Sequence, residues 1–196
     1  MCGRYYVDVS NDELSFLSNY GEIEYEQNFN VAPQTKAPCI IDNNLVVANW
    51  GYFPDWLKKQ SNPRPLFNTR HESLLEKKTF TSAFNNSRCL IPITGWYEWK
   101  EEEGVKQPYF FFSNSQKILF AAGLFWNRSS GDIETSIITR EAVTELQTIH
   151  SRSPLLLTPK QKDFWISEAP SEDIYNEILD YTYKDIQFHK VDRAVS

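Results

Sequence analysis

Short apolar segments, separated by turn-forming residues, recur along this chain and limit the folds that it can adopt. Residues 37–41 and 45–50 flank Asp42-Asn43-Asn44, a pattern typical of a β-hairpin. A second hairpin turn is predicted at residues 101–104. Other segments with the length and composition of strands are residues 3–9, 88–93, 95–100, 108–113, 118–124, 133–139 and 185–191.

Helices are predicted only at irregular intervals between these strands. Ser10 with Glu13 has the form of a capping box, and Thr158-Pro159 is typical of a helix start. Further short helices are predicted at residues 72–77, 141–147 and 172–181, and irregular segments at residues 28–33 and 52–67. The chain lacks the β-α-β alternation of a parallel doubly wound sheet. We predict one α+β domain over residues 1–196, a strongly bent, largely antiparallel sheet or barrel with peripheral helices.

Composition limits the possible partners of the chain. With 26 acidic and 20 basic residues the net charge is −6, which is unlike a basic nucleic-acid-binding protein. Contact with phosphates would therefore need a few arginines gathered in one place. Aromatic residues make up 15% of the chain, enough either to fill a β-rich core or to stack on planar ligands such as nucleobases.

The amino-terminal segment and the cysteines indicate a compartment. The segment MCGRYYVDVS has no apolar h-region, and no stretch approaches the roughly 18 apolar residues of a membrane span, so we expect a cytoplasmic protein. Cys39 and Cys89 lie in apolar segments and are predicted to be buried, unpaired core residues. Because the chain has no metal-ligand spacing, P-loop or dinucleotide-binding glycine motif, we expect no metal, nucleotide or flavin cofactor.

Cys2 differs from the other cysteines because removal of Met1 would make it the amino-terminal residue. Its α-amine, with a pKa of about 8, would be partly neutral and could condense with an aldehyde to an imine. The thiol could then close on the imine carbon to form a five-membered thiazolidine, an intramolecular step that benefits from high effective concentration. The alternative is an incidental cysteine beside the start codon.

Three other segments carry residue types that suit such chemistry. Asn68 and Arg70 could bind a sugar and a phosphate, although the segment also suits a capped helix start. Glu98 is flanked by aromatic residues that would raise its pKa for acid–base work, unless it pairs with a lysine on a solvated face. His150 could transfer protons with Arg152 nearby, although a lone histidine is more often structural.

Taken together, these segments resemble one known family. The chain is similar to the SRAP (SOS response-associated peptidase) family, and the matches run in order over nearly its whole length. The matching motifs are Cys2-Gly3-Arg4, Asn30-Val31-Ala32-Pro33, Trp50-Gly51-Tyr52, Asn68-x-Arg70-x-Glu72, Cys89-Leu90-Ile91-Pro92, Gly95-Trp96-Tyr97-Glu98-Trp99-Lys100 and Ile149-His150-x-Arg152-x-Pro154.

The resemblance implies an SRAP-like fold and covalent capture of abasic sites in single-stranded DNA. Cys2 would be the nucleophile that forms the thiazolidine with the ring-opened sugar. Asn68 would hold the sugar or the terminal amine, and Glu98 would move protons during imine formation and ring closure. His150 would assist opening of the sugar ring, β-elimination with lyase activity, or reversal of the crosslink.

The resemblance also implies how DNA would be held. Arg4, Arg70 and Arg152 would contact the phosphates that flank the lesion, and Trp50 and Trp99 are candidates for stacking on neighbouring bases. We expect a monomer whose partner is single-stranded DNA containing abasic sites, associated with the nucleoid when bound. No membrane partner is expected.

Two other functions remain open from the sequence. The first is an amino-terminal-nucleophile peptidase or hydrolase, in which the Cys2 thiolate would act with His150 as base and Glu98 as orienting group. Self-removal of the initiator residue would fit that activity. The second is a DNA-binding module without covalent chemistry, which would bind DNA equally well with serine in place of Cys2.

Overall fold

Two β-sheets form the body of the protein in the computed structural model, which describes residues 2–8, 17–143, 145–179 and 183–195. These residues contain thirteen strands: β1 (Arg4–Val7), β2 (Asn28–Val31), β3 (Lys36–Ile41), β4 (Asn44–Trp50), β5 (Asn68–Arg70), β6 (Arg88–Ile93), β7 (Gly95–Glu102), β8 (Val105–Phe112), β9 (Leu119–Asn127), β10 (Ile133–Glu141), β11 (Arg152–Pro154), β12 (Leu156–Leu157) and β13 (Gln187–Lys190).

The larger sheet closes into a barrel. Its strands follow the order β11-β10-β4-β3-β6-β9-β12, and an additional pairing of β9 with β10 joins the two ends of the central five strands. Only the pairs β10–β4 and β10–β5 are parallel. The smaller sheet, β13-β8-β7-β1-β2, is antiparallel throughout. The predicted α+β class with a bent, largely antiparallel sheet or barrel is therefore confirmed.

Both predicted hairpins are present, and turn chemistry explains them. Asp42 and Asn43 join β3 to β4 with φ values of 48° and 59°, and Glu103 and Gly104 join β7 to β8 with φ values of 50° and 77°. Positive φ at both central residues is the signature of the type I′ turn, whose twist matches that of the flanking strands. Asn, Asp and Gly tolerate this conformation at low cost.

The described helices are short and lie outside the sheets. They are α1 (Asp55–Lys58), α2 (Lys78–Asn86), α3 (Pro159–Trp165) and α4 (Ser171–Leu179), with 3₁₀ turns at His71–Ser73, Leu146–Thr148 and Arg193–Val195. At the start of α3 the Thr158 hydroxyl accepts from the Gln161 backbone while the Gln161 side chain accepts from Thr158, which confirms that predicted start. The capping box predicted at Ser10 and Glu13 lies outside the described residues.

Four predictions of local structure were wrong. The segment 52–67, predicted to be irregular, contains α1. Residues 28–33 are not irregular, because β2 pairs with β1 and tertiary pairing overrides the weak strand propensity of asparagine. The helix predicted at residues 72–77 is instead α2, which begins at Lys78 and buries Phe80 and Phe84. Among residues 141–147 the described part forms only a 3₁₀ turn at its end, Leu146–Thr148.

The buried side chains form two clusters, and the first surrounds the amino terminus of β1. It includes Cys2, Tyr5, Trp50, Trp96 and both strand cysteines, and the second packs α2, α3 and α4 against the barrel. Cys39 and Cys89 are 1% and 0% exposed, which confirms their predicted burial. No helix among the described residues has the length and apolar character needed to cross a bilayer.

Candidate active site at the start of the first strand

Cys2 lies two residues before the first residue of β1 and is completely buried. Its Sγ is 3.8 Å from the carbonyl oxygen of Arg4, and its own carbonyl oxygen accepts a hydrogen bond of 2.7 Å from Nδ2 of Asn68. Burial raises the pKa of the thiol well above its usual value, and the negative charge of Glu98 raises it further. The positive charge of the amino terminus acts in the opposite direction. The thiol therefore rests in its protonated form.

Asn68 is held in place by the barrel. It begins β5, which runs parallel to β10, and the preceding carbonyl of Phe67 accepts hydrogen bonds from the Ile137 backbone and from Nε1 of Trp50. With Nδ2 used by Cys2, Oδ1 of Asn68 is buried and has no hydrogen-bond partner among the described residues. Because buried acceptors are normally paired, this oxygen is suited to a donor supplied by a ligand or by a terminal amine.

Glu98 points from β7 into the same interior. Its side chain is 2% exposed, which excludes the alternative of a carboxylate paired on a solvated face. Burial raises the pKa of Glu98 from its ordinary value of 4.5 to about 7, although the positive amino terminus acts to lower it. A carboxyl group with a pKa near 7 can both donate and accept a proton at neutral pH.

His150 stands beside Glu98, so it is not an isolated structural histidine. Its Nδ1 lies 3.9 Å from Oε2 of Glu98 and accepts a hydrogen bond of 3.0 Å from the backbone N–H of Arg152. Burial lowers the pKa of His150 below its ordinary 6.5, and the positive amino terminus lowers it further. The usual order of the two groups is therefore reversed, because the carboxyl of Glu98 holds its proton to a higher pH than the imidazole does.

The three predicted phosphate-binding arginines differ in their surroundings. Arg70 is exposed at the end of β5, and Arg4 is half-buried with Nη1 3.4 Å from Oδ1 of Asn30. The guanidinium of Arg152 is already engaged, because it binds both carboxylate oxygens of Glu72, at 2.6 and 3.0 Å, and the carbonyl of Thr139 at 2.6 Å. Among the described residues, therefore, Arg152 uses both terminal nitrogens on a carboxylate, whereas Arg4 contacts an amide oxygen and Arg70 is exposed.

The two predicted stacking residues also differ. Trp50 is 1% exposed and packs edge-on against Tyr5 and Phe67, so the structure offers no face of its ring to a base. The expectation for Trp50 must be corrected: its indole N–H holds the Phe67 carbonyl and thereby positions Asn68. Trp99 is half-buried on β7 beside Glu98 and remains the better placed of the two.

Glu72 is part of the motif Asn68-x-Arg70-x-Glu72, but the sequence predicts no role for it. Burial acts to raise the pKa of Glu72, but the hydrogen bonds from Arg152 lower it to about 2. The two residues are 80 positions apart, so only the pairing of β5 and β11 with β10 brings them together. In the described part of the chain, no group of three or more His, Cys, Asp or Glu side chains could hold a metal ion.

A buried cysteine, an asparagine amide, a carboxyl group of raised pKa and a histidine thus lie together near the start of β1. Comparison with known protein families shows which family has this closed mixed barrel. A family model described as SOS response associated peptidase (SRAP) matches residues 1–196. The chain belongs to this family.

Relatives of known name cover the full chain. It is 31% identical to the abasic site processing protein YedK of Escherichia coli (strain K12) and 29% identical to the abasic site processing protein YoqW of Bacillus subtilis (strain 168). Both alignments cover 100% of this chain and 94% of the relative. A crystal structure of a protein from Bacteroides thetaiotaomicron has the same fold, with a TM-score of 0.83, 21% identity and coverage of 98% of this chain and 93% of that one.

Proposed function

We propose that this chain captures abasic sites in single-stranded DNA by forming a thiazolidine between Cys2 and the ring-opened sugar. Removal of Met1 must come first, because an acylated Cys2 nitrogen cannot form an imine. The proposal depends mainly on the position of Cys2. Its carbonyl oxygen accepts a hydrogen bond from Asn68, and its thiol is close enough to Glu98 for the charge of Glu98 to raise the thiol pKa. Relatives over the full chain are named abasic site processing proteins, which supports the same substrate class.

The reaction proceeds in two bond-forming steps. The Cys2 amine adds to the aldehyde carbon, and loss of the hydroxyl group as water gives the imine. The thiol then adds across the C=N bond: a C–S bond forms, the π electrons move to nitrogen, and the thiol proton is transferred to that nitrogen. One water molecule is released overall, and no oxidant or further reactant is needed. The second step is intramolecular, which favours ring closure.

Glu98 and His150 are the groups that move protons. Because the pKa of Glu98 is about 7, its acid form can protonate the departing hydroxyl group, and its carboxylate can then accept the thiol proton. His150, whose pKa is lowered, is neutral at pH 7 and can assist opening of the sugar ring. The same two groups would serve β-elimination, and hence lyase activity, or reversal of the crosslink.

DNA would be held by local rather than overall charge. The net charge of −6 repels a polyanion, so the exposed Arg70 and the half-buried Arg4 are the groups that would neutralise phosphates beside the lesion. Trp99, next to Glu98 in β7, would stack on a neighbouring base. A single strand is the favoured substrate because its flexible backbone can bend to bring the abasic sugar to the buried Cys2.

Intact mass spectrometry tests this proposal directly. The purified protein should lack Met1, and after mixing with uracil-excised single-stranded DNA it should gain the mass of the DNA minus one water. The adduct should survive denaturing electrophoresis. An intact DNA strand of the same sequence is the matched control and should give no adduct. A protein that lacks Met1 but forms no adduct would contradict the proposal.

A second candidate is an amino-terminal-nucleophile peptidase, favoured by the contact of 3.9 Å between His150 and Glu98 near the Cys2 thiol. Burial of Cys2 counts against it, because the raised pKa leaves little thiolate for direct attack. The two candidates differ in substrate. A peptidase needs no aldehyde and would turn over a peptide or ester in the absence of DNA.

A further inference from the structure

The ion pair between Glu72 and Arg152 connects two segments of the candidate site. It has no part in the proposed chemistry. Glu72 follows β5, the strand that carries Asn68, and Arg152 begins β11, two residues after His150. Both terminal nitrogens of the Arg152 guanidinium bind the Glu72 carboxylate, at 2.6 and 3.0 Å. This bidentate geometry fixes the orientation of the guanidinium plane as well as its position.

Arg152 is held on a second side by the barrel. One of its nitrogens also donates to the Thr139 carbonyl in β10 at 2.6 Å, and its side chain is 13% exposed. Its backbone lies opposite Glu141 in the β10–β11 pairing. With side chain and backbone both anchored, the N–H of Arg152 has a defined direction, and that N–H donates to Nδ1 of His150 at 3.0 Å.

This hydrogen bond has a consequence for the imidazole. A ring nitrogen that accepts from a backbone N–H carries no proton in the neutral form, so the proton of neutral His150 resides on Nε2. The other contacts of Nδ1, the Arg152 carbonyl at 3.2 Å and Glu98 at 3.9 Å, would favour the opposite tautomer if the Arg152 N–H turned away. The orientation of Arg152 therefore selects the tautomer.

We propose that Glu72 is a positioning residue that, through Arg152, keeps neutral His150 in the Nε2-protonated tautomer. The value of this tautomer for opening the sugar ring rests on the proposed function, whereas the tautomer itself is a property of the free protein. The bidentate pair also contributes to stability, because it holds the carboxylate of Glu72 in its charged form, so the tests below measure the tautomer and the reaction rate instead of stability.

The first test is nuclear magnetic resonance of the imidazole nitrogens in ¹⁵N-histidine-labelled protein without DNA. His150 is assigned by the signal lost in His150→Gln, since His71 touches Glu72 directly and will also respond. The native chain should show Nε2-protonated His150, and Glu72→Ala should show a mixture of the two tautomers. Glu102→Ala is the matched control, because it removes a carboxylate that pairs with Lys190 at 2.6 Å, and His150 should not change.

The second test is the rate of crosslinking at saturating abasic DNA. Glu72→Ala should form the adduct roughly tenfold more slowly, the loss expected for one charge-assisted hydrogen bond, while DNA affinity stays near that of the native chain. An unchanged His150 tautomer in a folded Glu72→Ala protein would overturn the inference. So would tighter DNA binding with an unchanged rate, because Glu72 would then only mask Arg152 from phosphate. If the native chain forms no adduct, the proposed function fails, but the tautomer still decides this inference.

Discussion

Cys2 and Cys89 are both completely buried in the same cluster of core residues, yet their surroundings differ in kind. Burial raises the pKa of both thiols well above the usual value. Beyond burial, Cys2 responds to the charges of Glu98 and of the amino terminus, whereas Cys89 responds to its neighbour Cys39. Burial alone therefore does not distinguish the proposed nucleophile from a core cysteine in this protein.

Packing around Cys89 shows what an inert site looks like. A Cβ atom placed on Gly123 would come within 2.9 Å of the Cys89 Sγ, so the gap between Gly123 and that thiol is too small for a methyl group. Around Cys2, by contrast, Asn68 offers an acceptor without a partner among the described residues. Polar groups with incomplete hydrogen bonding inside a core destabilise the fold, and they are retained where chemistry requires them.

The largest expected effect comes from replacing each of the two cysteines, Cys2 and Cys89, by alanine. Cys2→Ala should abolish the covalent adduct with abasic single-stranded DNA, because both the thiazolidine sulfur and its position next to the amine are lost. Cys89→Ala should retain the adduct and lose only about 1 kcal/mol in the free energy of unfolding. Denaturing electrophoresis and urea unfolding measure the two results. An adduct of normal yield with Cys2→Ala would assign the chemistry to another nucleophile.

The second effect concerns stability and pH. The pKa of Glu98 in the folded protein is about 7, above its ordinary 4.5, so its stabilising contribution is present below about pH 4.5 and is lost as the pH rises through 7. Glu98→Gln does not titrate. Relative to the native chain, the variant should therefore gain about 3 kcal/mol in the free energy of unfolding between about pH 4 and about pH 8.

Urea unfolding at several pH values measures that gain. The Cys89→Ala variant is the control, because its thiol titrates above this window and its difference from the native chain should be independent of pH. A flat difference for Glu98→Gln would mean that Glu98 has the same pKa in the folded as in the unfolded chain and is therefore ionised at neutral pH. Its assignment as a proton donor would then be wrong.

Features that depend on neighbouring residues could be predicted from the sequence. The Asp42-Asn43 turn, the helix start at Thr158-Pro159 and the burial of Cys39 and Cys89 follow from local chemistry or from the apolar character of a segment. The pKa of Glu98 is raised as its aromatic neighbours in the sequence predicted, and the cause is burial of the carboxyl group. In each case the deciding residues lie within one or two elements of one another.

Features that depend on distant pairing could not be predicted in this way. The strand β2 exists because β1 lies beside it, and the burial of Trp50 follows from closure of the barrel. The pair of Glu72 and Arg152 joins residues 80 positions apart, so no local pattern indicates that this arginine is already occupied. The motifs that resemble the SRAP family predicted a set of site residues, and the fold shows how the surroundings of those residues differ.

The smallest expected effect concerns DNA affinity at Arg70, which lies at the surface outside the buried region around Cys2. Arg70→Ala, measured by DNA binding in the Cys2→Ala background, should weaken affinity and reduce the slope of log K against log salt by about 0.7, because one phosphate contact is lost. Lys160→Ala is the control: it removes the same charge from α3, where Lys160 lies 3.6 Å from Glu177, and should leave the slope unchanged. Equal slopes for both variants would mean that general surface charge, rather than Arg70 at the end of β5, attracts the strand. The difference between Cys2 and Cys89 would then be limited to their buried surroundings and would not extend to a specific DNA contact at the surface.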